Sequence, residues 1–331
     1  MEVINKLLIC PACDNDNLNK LDYKLICINC DREYMIRDNI PLMFFQTDWN
    51  NAKYDVTKMV KQFYEKTPFP NYENMEGVND LVKKSEKGYY AKFMNEQIPF
   101  NVNVLEVGCG TGQLTNYLGL ASRNVFGTDM CLNSLKLAEV FRSQNNINNS
   151  SFYQMNLFNP IFKENNFHLV ICQGVLHHTS DPYLGFQTIS KLVIKGGYII
   201  IGLYNKYGRL ITDARRVLFN ITGDRFKSID PRLKKTDRGK SKRESWFKDQ
   251  YKHPHESKHT IGEVLTWFKQ NDFEFVNAIP KVKPFSPFTI NEKLFKYNPK
   301  GNTIDHFIVQ LSSIINGYRE GGLFIMIGKK K

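Results

Sequence analysis

From Val102 onward the chain alternates short apolar runs with helix-length amphipathic stretches. "NVLEV", "NVFGTD", "SFYQMN", "FHLVICQG" and "GGYIIIGLYN" read as successive strands, and "FEFVNAIPKV" and "GGLFIMIGKK" as two more near the end. Between them "QLTNYLGLA", "NSLKLAEVFRSQ", "YLGFQTISKLV" and "TIGEVLTWFKQN" place apolar residues at helical spacing. Strands alternating with helices specify an α/β fold around a mostly parallel sheet. Two stretches break the rhythm: a polar, basic insertion at about 206–259, and a Pro- and Phe-rich excursion between the last two strands.

The first hundred residues read differently. Residues 1–46 hold two Cys-x-x-Cys knuckles and close on "YMIRDNIPLMFF", an extended apolar strand and turn, which suits a small metal-dependent unit. Residues 47–100 read as linker and lid helices, broken at "KTPFPNY", where Pro68 and Pro70 stop any helix and leave Phe63, Tyr64, Phe69 and Tyr72 nearby. The remainder, 101–331, is the α/β unit.

Composition supports this division. With 331 residues and 42% of them hydrophobic, the chain can bury a full core. No apolar run approaches the roughly 18 residues that span a bilayer, and Met1 to Cys10 lacks the features of a signal peptide, so the cytoplasm is the expected compartment. The net charge of +12 is unevenly placed. Between Lys206 and Lys258 sixteen Lys and Arg face seven Asp and Glu.

In "LEVGCGTGQL" a strand runs into a glycine turn and a helix, which offers free backbone N–H groups to an anionic or carboxylate-bearing ligand. The order is Gly108-x-Gly110-x-Gly112, and Gln113 stands where the dinucleotide fingerprint needs its third glycine, which argues against NAD. Asp129 ends the next strand, where a carboxylate can accept both hydroxyls of a ribose.

With "VICQGVLHHTSDP" and "KLVIKGGYIIIGLYN" following in order, residues 102–205 resemble the core of class I S-adenosylmethionine-dependent methyltransferases. The resemblance implies a Rossmann-like seven-stranded sheet. It assigns the methionine end of the cofactor to Glu106, Gly108, Gly110 and Gly112, the ribose to Asp129 and the adenine to Met130. Asn156 stands where the family has an acid near the adenine amine, with Leu157 beside it and Gln173 closing the cofactor set. A non-catalytic binding protein or scaffold on the same fold is the alternative.

Methyl transfer from a sulfonium is an in-line displacement that depends on alignment and on exclusion of water, and it needs a base only if the nucleophile carries a proton. His177, His178 and Tyr204 are the candidate catalytic residues, and Tyr204, Asn205, Tyr207 and Arg209 the candidate substrate contacts. Packing or capping is the plain alternative for the histidines.

Cys10, Cys13, Cys27 and Cys30, with thirteen residues between the pairs, supply four thiolates at the spacing of a closed structural zinc site. This segment resembles the small zinc-ribbon proteins that activate certain tRNA, rRNA and release-factor methyltransferases, and the ribbon fused to a bacterial 23S rRNA guanine methyltransferase. The insertion interleaves Lys and Arg with Trp246, Phe247 and Tyr251, a composition suited to phosphates and stacked bases. His253, His255 and His259 resemble a metal cluster only loosely. The expected partner is therefore an anionic acceptor, either RNA or a phosphorylated or carboxylated metabolite.

Overall fold

The structure, a computed structural model, describes residues 6–46, 56–68, 72, 75–230, 233, 240–316 and 321–331. The amino-terminal unit is a four-stranded antiparallel sheet of β1 (Leu18–Lys20), β2 (Lys24–Cys27), β3 (Glu33–Arg37) and β4 (Ile40–Pro41). Three helices follow: α1 (Thr57–Lys66), α2 (Val78–Glu86) and α3 (Tyr89–Gln97).

The main sheet begins with β5 (Asn103–Val107), α4 (Gln113–Leu118), β6 (Asn124–Asp129), α5 (Leu132–Gln144) and β7 (Ser150–Gln154). It continues with β8 (Phe167–Gln173), α6 (Pro182–Ser190) and β9 (Val193–Tyr204). The insertion contributes α7 (Leu210–Thr222) and α8 (Lys240–Tyr251). Then come α9 (Ile261–Gln270), β10 (Phe273–Ile279), α10 (Thr303–Asn316) and β11 (Leu323–Lys330). The strand order is β10-β11-β9-β8-β5-β6-β7, with β5 to β9 parallel and β11 antiparallel to both neighbours.

The seven strands read from the sequence are these seven. Their alternation explains the layering: Leu105, Val107, Val170 and Cys172 face one core, while Val104, Leu169 and Ile171 face the other. Residues buried on both faces give the near-continuous apolar runs expected of a covered parallel sheet. Caps fix the helix starts. Asp181 accepts from the N–H of Leu184 at 2.9 Å with Pro182 in the first turn, and Thr260 and Glu263 form a capping box on α9. The chain winds from β5 one way to β7 and then the other way through β8 and β9, so a crevice opens at the carboxyl ends of β5 and β8.

The small unit is built into this sheet. The N–H of Met43 donates to Gln154 O at 3.0 Å, Leu42 pairs in parallel with Gln154, and Ile9 N–H donates to Ile161 O at 2.8 Å. Its Leu8, Leu25, Tyr34 and Met43 share one apolar cluster with Tyr153, Met155 and Phe162. Truncating the buried Leu8 to Ala would cost about 2–5 kcal/mol.

Three helices depart from the sequence expectation. The excursion before β11 contains α10, and the insertion forms α7 and α8, of which α7 and α10 are amphipathic. Among the described residues no helix is long and apolar enough to cross a membrane.

Candidate functional site

The three glycines have separate causes. Gly108 (φ 71°) and Gly112 (φ 68°) occupy left-handed backbone, and a Cβ on them would lie 2.2 Å from Val175 Cγ2 and 2.5 Å from Phe152 Cε1. Gly110 (φ 54°) turns its N–H onto Asp129 Oδ2 at 2.9 Å. The N–H of Cys131 meets Asp129 Oδ1 at 2.8 Å, so one carboxylate ties the loop after β5 to the start of α5. Thr115 of α4 donates to Glu106.

Burial pushes the Glu106 carboxyl up to about 7 and that of Asp129 up to about 6, the opposite of what donors alone would do. The carboxylate of Asp129 receives the N–H groups of Gly110 and Cys131 on separate oxygens, and a carboxylate's four acceptor positions leave capacity for a further donor, which suits a diol ligand.

A cavity of about 460 Å³ runs from this loop across the carboxyl ends of the parallel strands. One half is lined by Glu106, Gly108, Gly110, Asp129, Met130, Asn156, Leu157 and Gln173. These are eight of the nine residues expected around the cofactor. Gly112 stands behind the wall, packed on Phe152 and Ala138. Gln173 donates to the Tyr90 hydroxyl. Asn156, expected near the adenine, donates from Nδ2 to Phe45 O at 2.9 Å and accepts from Phe158 N–H at 3.2 Å, so the end of the small unit holds this wall.

The other half is lined by Tyr64, His178, Tyr204, Trp246, Asp249 and Gln250. The Tyr64 hydroxyl donates to Asp249 Oδ1 at 2.9 Å, while Gln250 Nε2 donates to Asp249 Oδ2 at 2.9 Å and to the Tyr204 hydroxyl at 2.8 Å. This chain bridges α1, α8 and β9 over the cavity. Glu65 adds a second fastening of α1, accepting from the N–H of Leu132 at 2.9 Å and of Asn133 at 3.2 Å.

His178 Nδ1 lies 2.8 Å from the carbonyl of His255. A carbonyl only accepts, so Nδ1 carries the proton and Nε2 keeps its lone pair. Burial lowers the His178 pKa to about 4, so the ring is neutral near pH 7.

Several expected residues are placed elsewhere. His177 is fully buried with neither ring nitrogen hydrogen-bonded, its ring 4.0 Å from that of Tyr204, and it does not line the cavity, so it packs behind the wall out of an acceptor's reach. Arg209 does not reach the cavity. It is fully buried over the Tyr204 ring at 3.8 Å, paired with Glu256 and donating to Gln250 Oε1 at 2.7 Å. Asn205 is a turn residue whose Oδ1 accepts from Tyr207 and Gly208 N–H, both at 3.0 Å. Tyr207 packs toward Phe307. Of the four substrate candidates only Tyr204 lines the cavity.

Several of the insertion's described cations are paired within the fold, while Lys206, Arg225, Lys227, Lys248 and Lys252 are exposed. Arg216 pairs with Glu256 at 2.8 Å, Arg215 with Asp230 at 3.8 Å, and Lys258 with Asp213 at 2.6 Å. Phe247 and Tyr251 form a buried cluster with Phe219, leaving Trp246 as the insertion's ring on the cavity. Among the described residues no Lys or Arg lines the cavity. Residues 231–232 and 234–239, the densest basic stretch, lie outside the described residues, as does Phe69 of the expected lid. Tyr72 stacks on Phe141 at 4.5 Å instead of covering the cavity.

Asp249 and Gln250 were not expected. Their signal is present in "ESWFKDQYKH", where Trp246, Asp249 and Gln250 stand at i, i+3 and i+4 and so share a helix face.

The four knuckle sulfurs lie within 4.8 Å of one another, with Cys10–Cys30 at 3.7 Å and Cys13–Cys27 at 3.6 Å. A tetrahedron with metal–sulfur bonds of about 2.3 Å has sulfur–sulfur edges of about 3.8 Å, so the cluster fits zinc. The Tyr34 hydroxyl lies 3.0 Å from Cys10 Sγ. Among the described residues the His253, His255 and His259 set forms no such group.

The methyltransferase domain family matches residues 105–201. An uncharacterized protein of Synechococcus sp. is 24% identical over 197 residues, covering 52% of this chain and 47% of its own length. A ubiquinone biosynthesis O-methyltransferase of Colwellia psychrerythraea is 32% identical over 109 residues, covering 32% of this chain and 44% of its own. The chain thus spans about half the length of these curated relatives. The structure of PKMT2 from Rickettsia typhi superposes with a TM-score of 0.50 at 13% identity, over 73% of this chain and 52% of that one, a likeness of fold alone. With the glycine loop, Asp129 and the strand order already in place, the chain carries a domain of the class I S-adenosylmethionine-dependent methyltransferase family, joined to a four-cysteine ribbon.

Proposed function

We propose that this protein transfers a methyl group from S-adenosylmethionine to a small, uncharged acceptor whose nucleophilic oxygen or nitrogen carries a proton, and that the ribbon holds one structural zinc. The observation that carries this reading is the cavity itself, continuous from Asp129 to Tyr204 and His178 and free of Lys and Arg among the described residues. Its volume is that of a small-ligand site, and among the described residues its wall offers an anionic acceptor no cation.

When bound, the cofactor supplies an electrophilic methyl on a sulfonium with a good leaving group. Asp129 and Glu106 hold the donor from the β5 and β6 side, while Tyr64 and the Asp249–Gln250 pair close over the cavity and exclude water. As the acceptor's new bond to carbon forms, His178 Nε2 takes its proton, and the Nδ1 bond to the His255 carbonyl stabilises the imidazolium. The proton then passes to solvent, leaving methylated product and the demethylated donor.

The test uses labelled S-adenosylmethionine with fractionated cell extract, with and without ribonuclease. Label is expected in a ribonuclease-resistant small-molecule fraction, and label abolished by ribonuclease would instead support the RNA acceptor that the ribbon resemblance and net charge suggest. Asp129→Ala should weaken donor binding by at least about tenfold. His178→Gln should leave donor binding intact and lower the rate by about 100-fold or more.

A further inference from the structure

Two helices outside the catalytic cavity turn apolar stripes to solvent. In α10 the stripe is Ile304, Phe307, Ile308, Leu311 and Ile315, with Ile304 70% and Ile315 71% exposed. In α7 it is Leu210, Ala214, Val217 and Ile221, with Ile221 78% exposed. Both follow i, i+4, i+7, i+11, the ladder a helix normally turns to a core.

Here the core-facing sides are occupied by other residues. Phe219 of α7 is buried against α8, and Gln310 of α10 accepts from Ile261 N–H at 3.0 Å and from Asn205 Nδ2 at 3.2 Å. The stripes adjoin, since Tyr207, just before α7, packs on Phe307, and Ser313 donates to Asn205 at 3.4 Å.

We propose that these two stripes are the contact surface for a second copy of this chain, α7 and α10 of one copy meeting α7 and α10 of the other across a two-fold axis. Three observations select this occupant. The stripes present on the order of 800 Å², the share one partner contributes to an interface of standard size.

The residues of the two stripes are all uncharged. The α10 sequence contains no Lys or Arg, and Arg215 and Arg216 of α7 turn inward to Asp230 and Glu256. An anionic membrane is approached through Lys and Arg along the edges of an apolar face; among the described residues α10 has none, and the exposed Lys206, Arg225, Lys227 and Lys300 lie beyond the helix ends. A chain of net charge +12 meets its own copy at least electrostatic cost where the contact is apolar, as these stripes are. Finally, the ladder spans eleven residues in three turns, about 3.7 per turn, the period of a straight helix, so each stripe stays on one face along its whole helix and can pack on its own copy in a self-complementary contact.

The experiment is light scattering on size-separated full-length protein over a concentration series, with Ile221→Lys and Ile315→Lys as separate variants. Wild type should run at twice 38.6 kDa at micromolar concentration, and each variant should weaken dimerisation at least about 100-fold. Both positions are exposed and neither lines the cavity, so the melting temperature and S-adenosylmethionine binding of the variants should be unchanged. A wild type that stays at 38.6 kDa up to about 100 µM overturns the proposal. So does a dimer that both variants leave intact, or a monomer that sediments with phosphatidylcholine–phosphatidylserine vesicles.

Discussion

The ribbon and the insertion sit at opposite sides of the same cavity, and they support its walls by different physics. The ribbon reaches the site through main chain: residues 42–43 extend along the β7 edge, and the Phe45 carbonyl holds Asn156. Its Ile40 packs in one cluster with Cys109 of the glycine loop. The insertion reaches the site through side chains. Trp246, Asp249 and Gln250 line the cavity from α8, and behind them Glu256 joins Arg209 to Arg216 in a buried ion network. A small unit with little core of its own needs a metal to hold its shape, whereas a longer segment can hold shape through paired charges on a large body.

The largest effect that separates the two sides comes from the metal. The purified protein should contain one zinc per chain by elemental analysis, and chelation should remove hydrogen-exchange protection from β1 to β4. Because the ribbon ends on Asn156 and Ile40, donor affinity should fall about tenfold while protection of α7 and α8 is kept. Unchanged affinity after chelation would separate the ribbon from the cavity and break the comparison.

Next in size is Glu256→Ala. Although its own burial opposes ionisation, Arg209 and Arg216 hold the Glu256 carboxyl below its ordinary value. Removing it leaves two guanidinium groups without their shared partner, Arg209 fully buried, a change that costs about 3–5 kcal/mol. Calorimetry should show a melting temperature lower by roughly 10 °C with zinc content unchanged. A depressed carboxyl stabilises the fold at pH values above its unfolded pKa, so the gap between wild type and variant should close as the pH falls below about 4.

The two sides also differ in how much of them the sequence discloses. Cysteine spacing identifies the ribbon because thiolate chemistry fixes a local pattern, and the sheet is legible because strands buried on both faces are written as apolar runs. Gly108, Gly110 and Asp129 were legible through one local turn. The insertion misleads because net charge does not report pairing: Arg209 looks like an anion contact, yet Glu256, 47 residues away, occupies it. Asp249 meets Tyr64 across 185 residues, a distance no window spans. In α10 a regular apolar ladder sits after a run of prolines, and its outward orientation follows from which face Asn205 and Ile261 engage.

The smallest effect tests the one wall that neither addition touches. Glu106 lies in the middle strand, and burial raises its carboxyl to about 7, far above the unfolded value. A raised carboxyl favours the fold below its unfolded pKa, and that contribution is lost as pH rises through about 7. Ionised Glu106 is therefore a cost to the donor-free protein in alkaline solution. Glu106→Gln keeps an oxygen to accept from Thr115 and removes the charge. The variant's melting temperature should exceed wild type by on the order of 2 °C at pH 8 and match it near pH 4. Wild type should recover the difference at pH 8 when the donor binds, because a bound ammonium group would compensate that buried charge. Equal melting temperatures at pH 8 without donor would show that water reaches Glu106 and that α1 and the insertion leave the cavity open.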